Sequence, residues 1–470
     1  MGRDLLASAP VSRLALSHRF PLVVQAAVFV LFVYAILDGF FGTQEHLENP
    51  LTLWTWLVFA PPLIVLSLAL LGRAWCAVCP VGSLADAAGR WSRGLRFPER
   101  FRSLWPSVLL YVVALWVLRP MMGIEDSPNH SWLSPAHTAW LLLALTGAAV
   151  AMALLYSPRA FCRYVCPIAA PLSVLSRIAP LELRAIRTGK MAAACVSCKG
   201  RECLRGSDTV GGCPMGEFPA AMDSNSNCIL CLKCVKSCPS RGTIQVRTRA
   251  PFSELAHVSR PDVWESLTAV VAVAAFVIVY AIGYEPRIPP VMRDAGAGAH
   301  AWLPFLAAED LTFLIVLTVG TLLMVFLYAL ACAAAARLSG RGLREVIAFS
   351  GYAYVPLVAL WVVGYIVAAL LGNGGYVVNH ASSLLGIHSY SPPALVPWLH
   401  TPLPAGTKMS AFTLLLTVPL AAALPLSALV AYRSWRRSVN SRRKALLASA
   451  PSVAVMALIV AAYEWILLTA

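Results

Sequence analysis

The sequence predicts an all-α polytopic membrane protein with about nine transmembrane helices and one small α+β insert on the cytoplasmic side. Three observations predict this class. Of the 470 residues, 59% are apolar and 13% are charged, whereas soluble domains contain about 45–50% apolar and about 25% charged residues. The apolar residues are grouped into long runs. A single long polar block, residues 157–263, separates these runs into two halves.

Nine apolar runs are candidate membrane spans, because a helix needs about 20 mostly apolar residues to cross a bilayer core of about 30 Å. The third run is short, and the eighth contains Pro419 and Pro425. No small-residue cleavage site follows the first run, so we do not expect a cleaved signal peptide. The nine runs are residues 21–41, 51–71, 104–118, 138–156, 266–284, 311–336, 346–371, 411–432 and 449–470.

The cationic residues indicate the orientation. If the N-terminus is cytoplasmic, 33 of the 37 Lys and Arg residues lie on the inner side, as the positive-inside rule requires. We therefore expect a cytoplasmic polar block and a C-terminus on the outer side. The net charge of +15 is then mostly topological and indicates no nucleic-acid partner.

The chain divides into three predicted domains. Residues 1–180 form a four-helix membrane domain, residues 181–260 the cysteine-rich insert, and residues 261–470 a five-helix membrane domain without a cysteine motif. The first domain contains a repeat: Arg-Ala-Trp-Cys at 73–76 recurs as Arg-Ala-Phe-Cys at 159–162, and each copy leads to a Cys-Pro pair. Repeats of this kind often place a site at their interface.

The strongest motif is a run of closely spaced cysteines in the insert, Cys228, Cys231, Cys234 and Cys238, with Pro239 after the last. This spacing is typical of a two-cluster ferredoxin, in which the first three thiolates bind one [4Fe-4S] cluster and the fourth binds the other. Zinc sites use two separated cysteine pairs instead. The motif therefore predicts a dicluster ferredoxin-like insert.

A second set of cysteines completes the pair of clusters. By the exchange of the fourth ligand, the predicted ligand sets are Cys195, Cys198, Cys203 and Cys238 for one cluster and Cys228, Cys231, Cys234 and Cys213 for the other. Four cations lie among these ligands: Lys199, Arg201, Lys233 and Lys236. They would raise the reduction potential or dock an acidic electron donor, or they form a solvated basic face.

The repeat supplies a third set, Cys76, Cys79, Cys162 and Cys166, which we call the membrane-edge cysteines. Three interpretations stay open for them: a third cluster or metal site, a dithiol redox relay, or a structural role. Disulfides are not expected at a cytoplasmic position. Cys332, the thirteenth cysteine, stands alone inside a span, where packing explains it.

Histidines are concentrated on the predicted outer side, where seven of the nine lie. Such residues could accept protons from a quinol, and an acid near a span end is a candidate site residue. The candidates for quinol protons are Asp38, His46, His130 and His137. No histidine pair in the middle of the spans and no Cys-x-x-Cys-His motif supports a haem.

Two Cys-Pro motifs after membrane helices, followed by the dicluster cysteine run, resemble the membrane polyferredoxins of the NapH, NosR and CcoG type over about residues 20–250. The resemblance implies electron transfer between a quinone pool or cytoplasmic donor and a periplasmic reductase or metal centre, in a bacterial inner membrane. The first motif, Cys76-x-x-Cys79, has two intervening residues where the family usually has three. Neither an outer flavin domain nor a soluble outer domain is found, so we expect neither a full NosR-type protein nor a CcoG-type copper reductase.

Three functions are consistent with these features. The first is an iron–sulfur subunit of a quinol-linked respiratory chain, a quinol dehydrogenase subunit if it is an enzyme, which works with other electron-transfer subunits or a periplasmic reductase in a hetero-oligomeric complex. The second is a transmembrane electron donor for metal or cofactor maturation, supplied by a cytoplasmic ferredoxin or flavoprotein. The third is a redox-gated transporter, for which residues 261–470 contain no inverted repeat.

Overall fold

The computed structural model describes residues 3–17, 19–44, 49–53, 70–122, 135–278, 288–304, 306–384, 395–396, 399 and 410–469. They are mostly helical, as predicted, and form two compact units. The first unit comprises Met1–Gly42, Leu63–Leu110 and Thr138–Glu254, and the second comprises Thr43–Pro62, Tyr111–His137 and Leu255–Ala470. All twelve motif cysteines belong to the first unit.

The helices of the N-terminal half follow the repeat. Each copy of the repeat contains a Cys-Pro pair followed by a helix, and in the first copy Pro80 takes the first position of that helix, where proline is favourable. The α-helices are α1 Ala9–Leu16, α2 Leu22–Phe41, α3 Pro50–Leu53, α4 Trp75–Val78, α5 Pro80–Ala88, α6 Trp105–Met122, α7 Pro135–Leu155 and α8 Ala169–Leu175. A π-helical turn, Phe161–Val165, carries Cys162.

The cysteine-rich insert is built around a two-stranded antiparallel sheet, β1 Leu181–Ala185 and β2 Ile244–Thr248, in which Leu183 pairs with Val246. Three short helices lie between the strands: α9 Gly189–Val196, α10 Glu202–Arg205 and α11 Lys233–Ser237. The buried face of the sheet packs with Met222 and with two of the motif cysteines, Cys203 and Cys234. The cysteine segments are therefore held against a small apolar core.

Long helices form the C-terminal half: α12 Val263–Ala272, α13 Pro290–His300, α14 Ala308–Ser339, α15 Leu343–Ser350, α16 Val355–Leu384, α17 Ala411–Ser438 and α18 Arg442–Thr469. Between α15 and α16 the chain tightens into a 3-10 turn, Gly351–Tyr354. A Cβ atom on Gly351 would lie 2.5 Å from the Cβ of Ser266, so a larger residue would separate the two segments. Cys332 is fully buried in α14.

Six described helices are long and apolar enough to cross a membrane: Leu22–Phe41, Pro135–Leu155, Ala308–Ser339, Leu343–Ser382, Ala411–Ser438 and Arg442–Leu467. They correspond to the first, fourth and last four predicted spans. Of the second span, residues 54–69 lie outside the described residues. The described apolar helices of the third and fifth spans, Trp105–Ala114 and Val263–Ala275, are shorter. The count of nine spans therefore stays a prediction.

Candidate iron–sulfur sites

The first predicted ligand set lies around one cavity. Cys195, Cys198, Cys203 and Cys238 line it together with Phe218. Three of these cysteines come from α9, α10 and the loop between them, and Cys238 caps the C-terminal end of α11. Residues distant in sequence are thus brought to the cavity that we call the first cysteine site.

The second predicted ligand set lines a second cavity, with Cys213, Cys228, Cys231 and Cys234 around it. Between these cysteines the backbone takes a left-handed conformation at Leu230 (φ 49°) and Leu232 (φ 59°). Non-glycine residues rarely adopt this conformation, which costs of order 1–3 kcal/mol and is kept where surrounding structure demands it. Here it accompanies the tight wrapping of the cysteines around this second cysteine site.

Backbone N–H groups point at the sulfurs of the second cysteine site. Burial raises the pKa of Cys228 to about 12 and also raises the pKa of Cys231, whereas N–H bonds from Leu230 and Lys233 partly offset these shifts. The N–H of Glu217 donates to Cys213 Sγ at 3.4 Å. Such bonds stabilise the thiolate form and are one of the means by which proteins set cluster potentials.

The two sites are neighbours. Cys203 of the first site and Cys234 of the second share one buried core. Among the described residues, no three His, Cys, Asp or Glu side chains are close enough to bind a single metal ion. A cubane cluster distributes its four thiolates over four iron atoms, so its ligands lie further apart than those of a single ion.

The four membrane-edge cysteines are also brought together. Burial raises the pKa of Cys79, Cys162 and Cys166, that of Cys162 to about 12, and the neighbouring thiols of the same group raise it further. Arg159 lowers the pKa of Cys79 and Cys162 but does not cancel the effect of burial. The repeat interface is therefore a compact group of four partly buried thiols, the membrane-edge site.

Two arginines cross between the repeats at this site. Arg73 of the first copy donates from Nη2 to the carbonyl of Cys162 in the second copy, at 3.3 Å. Arg159 of the second copy donates from Nη1 to the carbonyl of Cys76 in the first. Each side chain is 1% exposed. In each copy, the arginine three residues before the first cysteine thus donates to the carbonyl of the first cysteine of the other copy.

Arg159 also has a carboxylate partner. Its Nε and Nη2 atoms each lie 2.9 Å from an oxygen of Asp86, in a two-point ion pair that fixes the plane of the guanidinium. A Cβ atom on Gly82 would lie 2.8 Å from Arg159 Nη1, so the glycine allows the side chain to pass. Asp86 further pairs with Lys233 at 3.7 Å, next to the second cysteine site.

The membrane-edge site adjoins the second cysteine site. Ala77, Met215, Ile229 and Cys231 form one buried apolar core, and Cys76 packs against it. Three four-cysteine sites therefore follow one another inside the first unit, in the order first, second, membrane-edge. This sequence of adjacent sites is what a path for electrons requires.

Two of the four cations predicted beside the clusters are engaged within the protein. Lys233 pairs with Asp86, and Lys236 donates from Nζ to the carbonyl of Ser17 at 2.8 Å and to that of Phe20. Lys199 and Arg201 are exposed. A basic docking face can therefore include Lys199 and Arg201 but not Lys233 and Lys236.

The predicted quinol residues are less informative. Asp38 is half-buried near the end of α2, where its carbonyl accepts the N–H of Gly42. His137 is exposed in α7. His46 and His130 lie outside the described residues. The roles of all four stay predictions.

Sequence reasoning assigned no role to Arg73, Arg159 and Asp86. A signal for the arginines was present, since each repeat places Arg three residues before its first cysteine. Nothing marked Asp86, because the second copy has Ser173 at the equivalent position, seven residues after the Cys of the Cys-Pro pair.

Helices long and apolar enough to cross a membrane and three groups of four cysteines are features of a membrane iron–sulfur protein, and the N-terminal half resembles the membrane polyferredoxins. A 4Fe-4S binding domain family matches residues 52–97 and 137–181, which are the two copies of the repeat. A relative in Escherichia coli (strain K12), YccM, named as a candidate electron transport protein, is 26% identical over 212 residues. The match covers 40% of this chain and 54% of YccM, about half of its length. No solved structure matches this chain.

Proposed function

We propose that the protein carries electrons through three [4Fe-4S] clusters, one at each cysteine site, between the quinone pool and a partner reductase of a bacterial inner membrane. The observation that carries the proposal is the adjacency of the three sites within one compact unit. The insert would face the cytoplasm, as the distribution of cations favours. Other electron-transfer subunits or a periplasmic reductase would form the hetero-oligomeric complex.

The donor chemistry fits clusters at all three sites. Each site offers four cysteines, the number that a [4Fe-4S] cluster uses. At the membrane-edge site, burial raises the pKa of Cys79, Cys162 and Cys166, that of Cys162 to about 12. A dithiol relay needs a thiolate nucleophile, which such burial disfavours, whereas bound iron would supply the positive charge that deprotonates the thiols. The same burial therefore favours a cluster over a relay.

The residues around the sites would exclude water and hold charge. A cluster supplies one-electron transfer without a proton, whereas a quinone exchanges two electrons and two protons. Ala77, Met215 and Ile229 fill the space between the second and membrane-edge sites with apolar side chains. The positive charge of Arg159 lies next to Cys76 and Cys162, with Asp86 as its partner. The chain thus places apolar side chains between the two sites and an ion pair, Arg159 with Asp86, beside the membrane-edge cysteines.

The quinone would bind in the inner leaflet beside the membrane-edge site. Every predicted cluster ligand lies on the inner side of the predicted topology, and an outer quinol site would be separated from them by about 30 Å of hydrocarbon. Such a site would need centres supplied by a partner. A quinone site close to Cys76 and Cys162 needs no centres from a partner protein.

Anaerobic addition of a quinol should therefore reduce the clusters of the purified protein, and a quinone-site inhibitor should alter the electron paramagnetic resonance (EPR) spectrum of the membrane-edge centre. The Asp38→Asn and His137→Ala variants should be reduced at the parental rate, because both residues belong to the predicted outer side. Slow reduction of either variant would indicate a quinol site on the outer side instead. Reduction by a ferredoxin or flavoprotein, with none by quinol, would reject the quinone link.

A second function is favoured by the exposed cations at the first cysteine site. Lys199, Arg201 and Arg205 are exposed in the segment that carries Cys198 and Cys203, and the Arg201 guanidinium lies 5.3 Å from the ring centre of Phe218, which lines the cavity. A basic surface accelerates association with an acidic protein. This surface supports a transmembrane donor for metal or cofactor maturation, with a soluble acidic ferredoxin or flavoprotein as the source of electrons.

A further inference from the structure

Arg73 is a buried cation that contacts the ligand segments of two sites. Its Nη1 donates to the carbonyl of Ser226 at 2.8 Å, two residues before Cys228 of the second cysteine site. Its Nη2 donates to the carbonyl of Cys162 in the membrane-edge site. One guanidinium, 1% exposed, thus binds the backbone beside both groups of cysteines.

No carboxylate in the described part of the chain lies within 4 Å of this guanidinium. The repeat explains the difference from Arg159. Asp86 pairs with Arg159, whereas the position equivalent to Asp86 in the second copy is Ser173, which is 1% exposed. Within the part of the chain that the structure describes, the Nε atom of Arg73 also has no hydrogen-bond partner. Among the described residues, the partners of Arg73 are therefore uncharged oxygens, the carbonyls of Ser226 and Cys162 and the side-chain amide oxygen of Asn227.

Burial of a charge without an opposite charge is strongly unfavourable, and a guanidinium keeps its proton in proteins. The carbonyl contacts satisfy N–H groups but supply no net negative charge. Iron–sulfur centres with four thiolate ligands are anionic, and their potentials depend on nearby charge. Two such centres on either side of Arg73 would supply the missing counter-charge.

We propose that Arg73 is a shared positioning residue that raises the reduction potentials of the second and membrane-edge centres together. This inference rests on the proposed function, since it requires a cluster at the membrane-edge site. The extra electron on either centre would be stabilised by the same fixed cation. Loss of that cation should disfavour reduction of both centres. It should leave the first centre unchanged, because the hydrogen bonds of Arg73 go to the chain segments of Cys162 and Cys228 and not to those of the first cysteine site.

The test is a redox titration followed by EPR spectroscopy. The Arg73→Gln variant should lower the equilibrium constant for reduction of both centres by roughly tenfold, as expected for a unit charge at about 10 Å in a protein, which is about 59 mV for one electron. In the Arg73→Lys variant, which keeps the positive charge, both potentials should remain close to those of the parent. If Arg73 had only a structural role, the Lys and Gln variants would have the same reduction potentials. A difference between them at the second and membrane-edge centres, with no change at the first centre, therefore indicates an effect of charge.

A second variant leaves Arg73 in place. Ser173→Asp introduces the carboxylate that the first repeat has at the equivalent position, so it should also lower both potentials, and Ser173→Asn is its neutral control. Unchanged potentials in Arg73→Gln, or in Ser173→Asp if the first variant does not fold, would overturn the inference. A parent protein with two clusters rather than three would overturn the proposed membrane-edge centre, and this inference with it.

Discussion

The protein purified without oxygen should contain about twelve iron atoms per chain, and the Cys76→Ser/Cys162→Ser variant about eight. Each substitution removes a thiol from a different copy of the repeat, so the membrane-edge site keeps only the two cysteines that precede proline, Cys79 and Cys166. Two thiols cannot replace the four ligands of a cubane. Iron and sulfide analysis, together with EPR spectroscopy of the reduced protein, measures the difference.

The matched control is Cys332→Ala. This cysteine is fully buried in α14, outside the unit that contains the three sites, and its substitution should leave about twelve iron atoms. The two centres of the insert should keep their spectra in the double variant. If parent and double variant contain the same iron and show the same signals, the membrane-edge cysteines hold no cluster, and a structural role or a dithiol relay takes its place.

The grouping of cysteines is the part of the candidate site that sequence predicts best. The spacing of Cys228, Cys231 and Cys234 with Cys238 reflects a local winding of the backbone, and the exchange of the fourth ligand follows from that winding. The structure accordingly gathers the same two sets of four around two cavities. Local spacing carries this information because each set is organised by short segments.

The arginine crossing could not be derived in the same way. Arg73 and Ser226 are 153 residues apart, and Arg159 and Cys76 are 83 apart. Contacts at such separations depend on how whole helices pack, which the pattern of one segment does not encode. For the same reason the sequence does not show that Lys236 binds carbonyls near the N-terminus, and it leaves a raised potential, donor docking and a solvated face open for this residue. The repeat predicted a meeting of the two copies but not the residues that join them.

Membrane spans show a similar division. Of the nine spans that the long apolar runs predict, six are described helices of sufficient length, including Ala411–Ser438 with two prolines inside. Apolar content is a sum over about 20 residues, so single irregularities do not erase it. The 3-10 turn at Gly351–Tyr354 depends on a close approach of Ser266, which is again a tertiary contact.

A buried carboxylate joins the insert to the end of the second repeat. Glu254 is 7% exposed. It pairs with Arg177 at 2.9 Å and with Arg249, and Ser224 Oγ donates to it at 2.6 Å. Burial by itself would raise the pKa of this carboxyl, but the two arginines and the serine outweigh it and hold the pKa below its usual range. The carboxylate is therefore ionised and fully partnered at neutral pH.

Glu254→Gln should lower the free energy of unfolding of the first unit by about 3–5 kcal/mol, because it removes a buried negative charge that pairs with the buried guanidinium groups of Arg177, Arg184 and Arg249. The expected readout is a fall in the midpoint of thermal unfolding in detergent, followed by the visible absorbance of the clusters. The parent should lose the same stabilisation in acid. Because the folded-state pKa of Glu254 is lowered, its contribution is present above the pKa of the unfolded chain and is lost as the pH falls through the folded value.

The variant should consequently depend less on pH than the parent over that acid range. Glu99→Gln provides the control, since Glu99 pairs with Arg102 at 3.9 Å and its side chain is 92% exposed. Exposed pairs contribute about 0–1 kcal/mol, so its unfolding midpoint should remain close to that of the parent. Equal midpoints for the Glu254 and Glu99 variants would contradict the ion-pair network as the connection between the insert and the repeat. The apolar core around Ala77 and Ile229 would then have to hold the second and membrane-edge sites together.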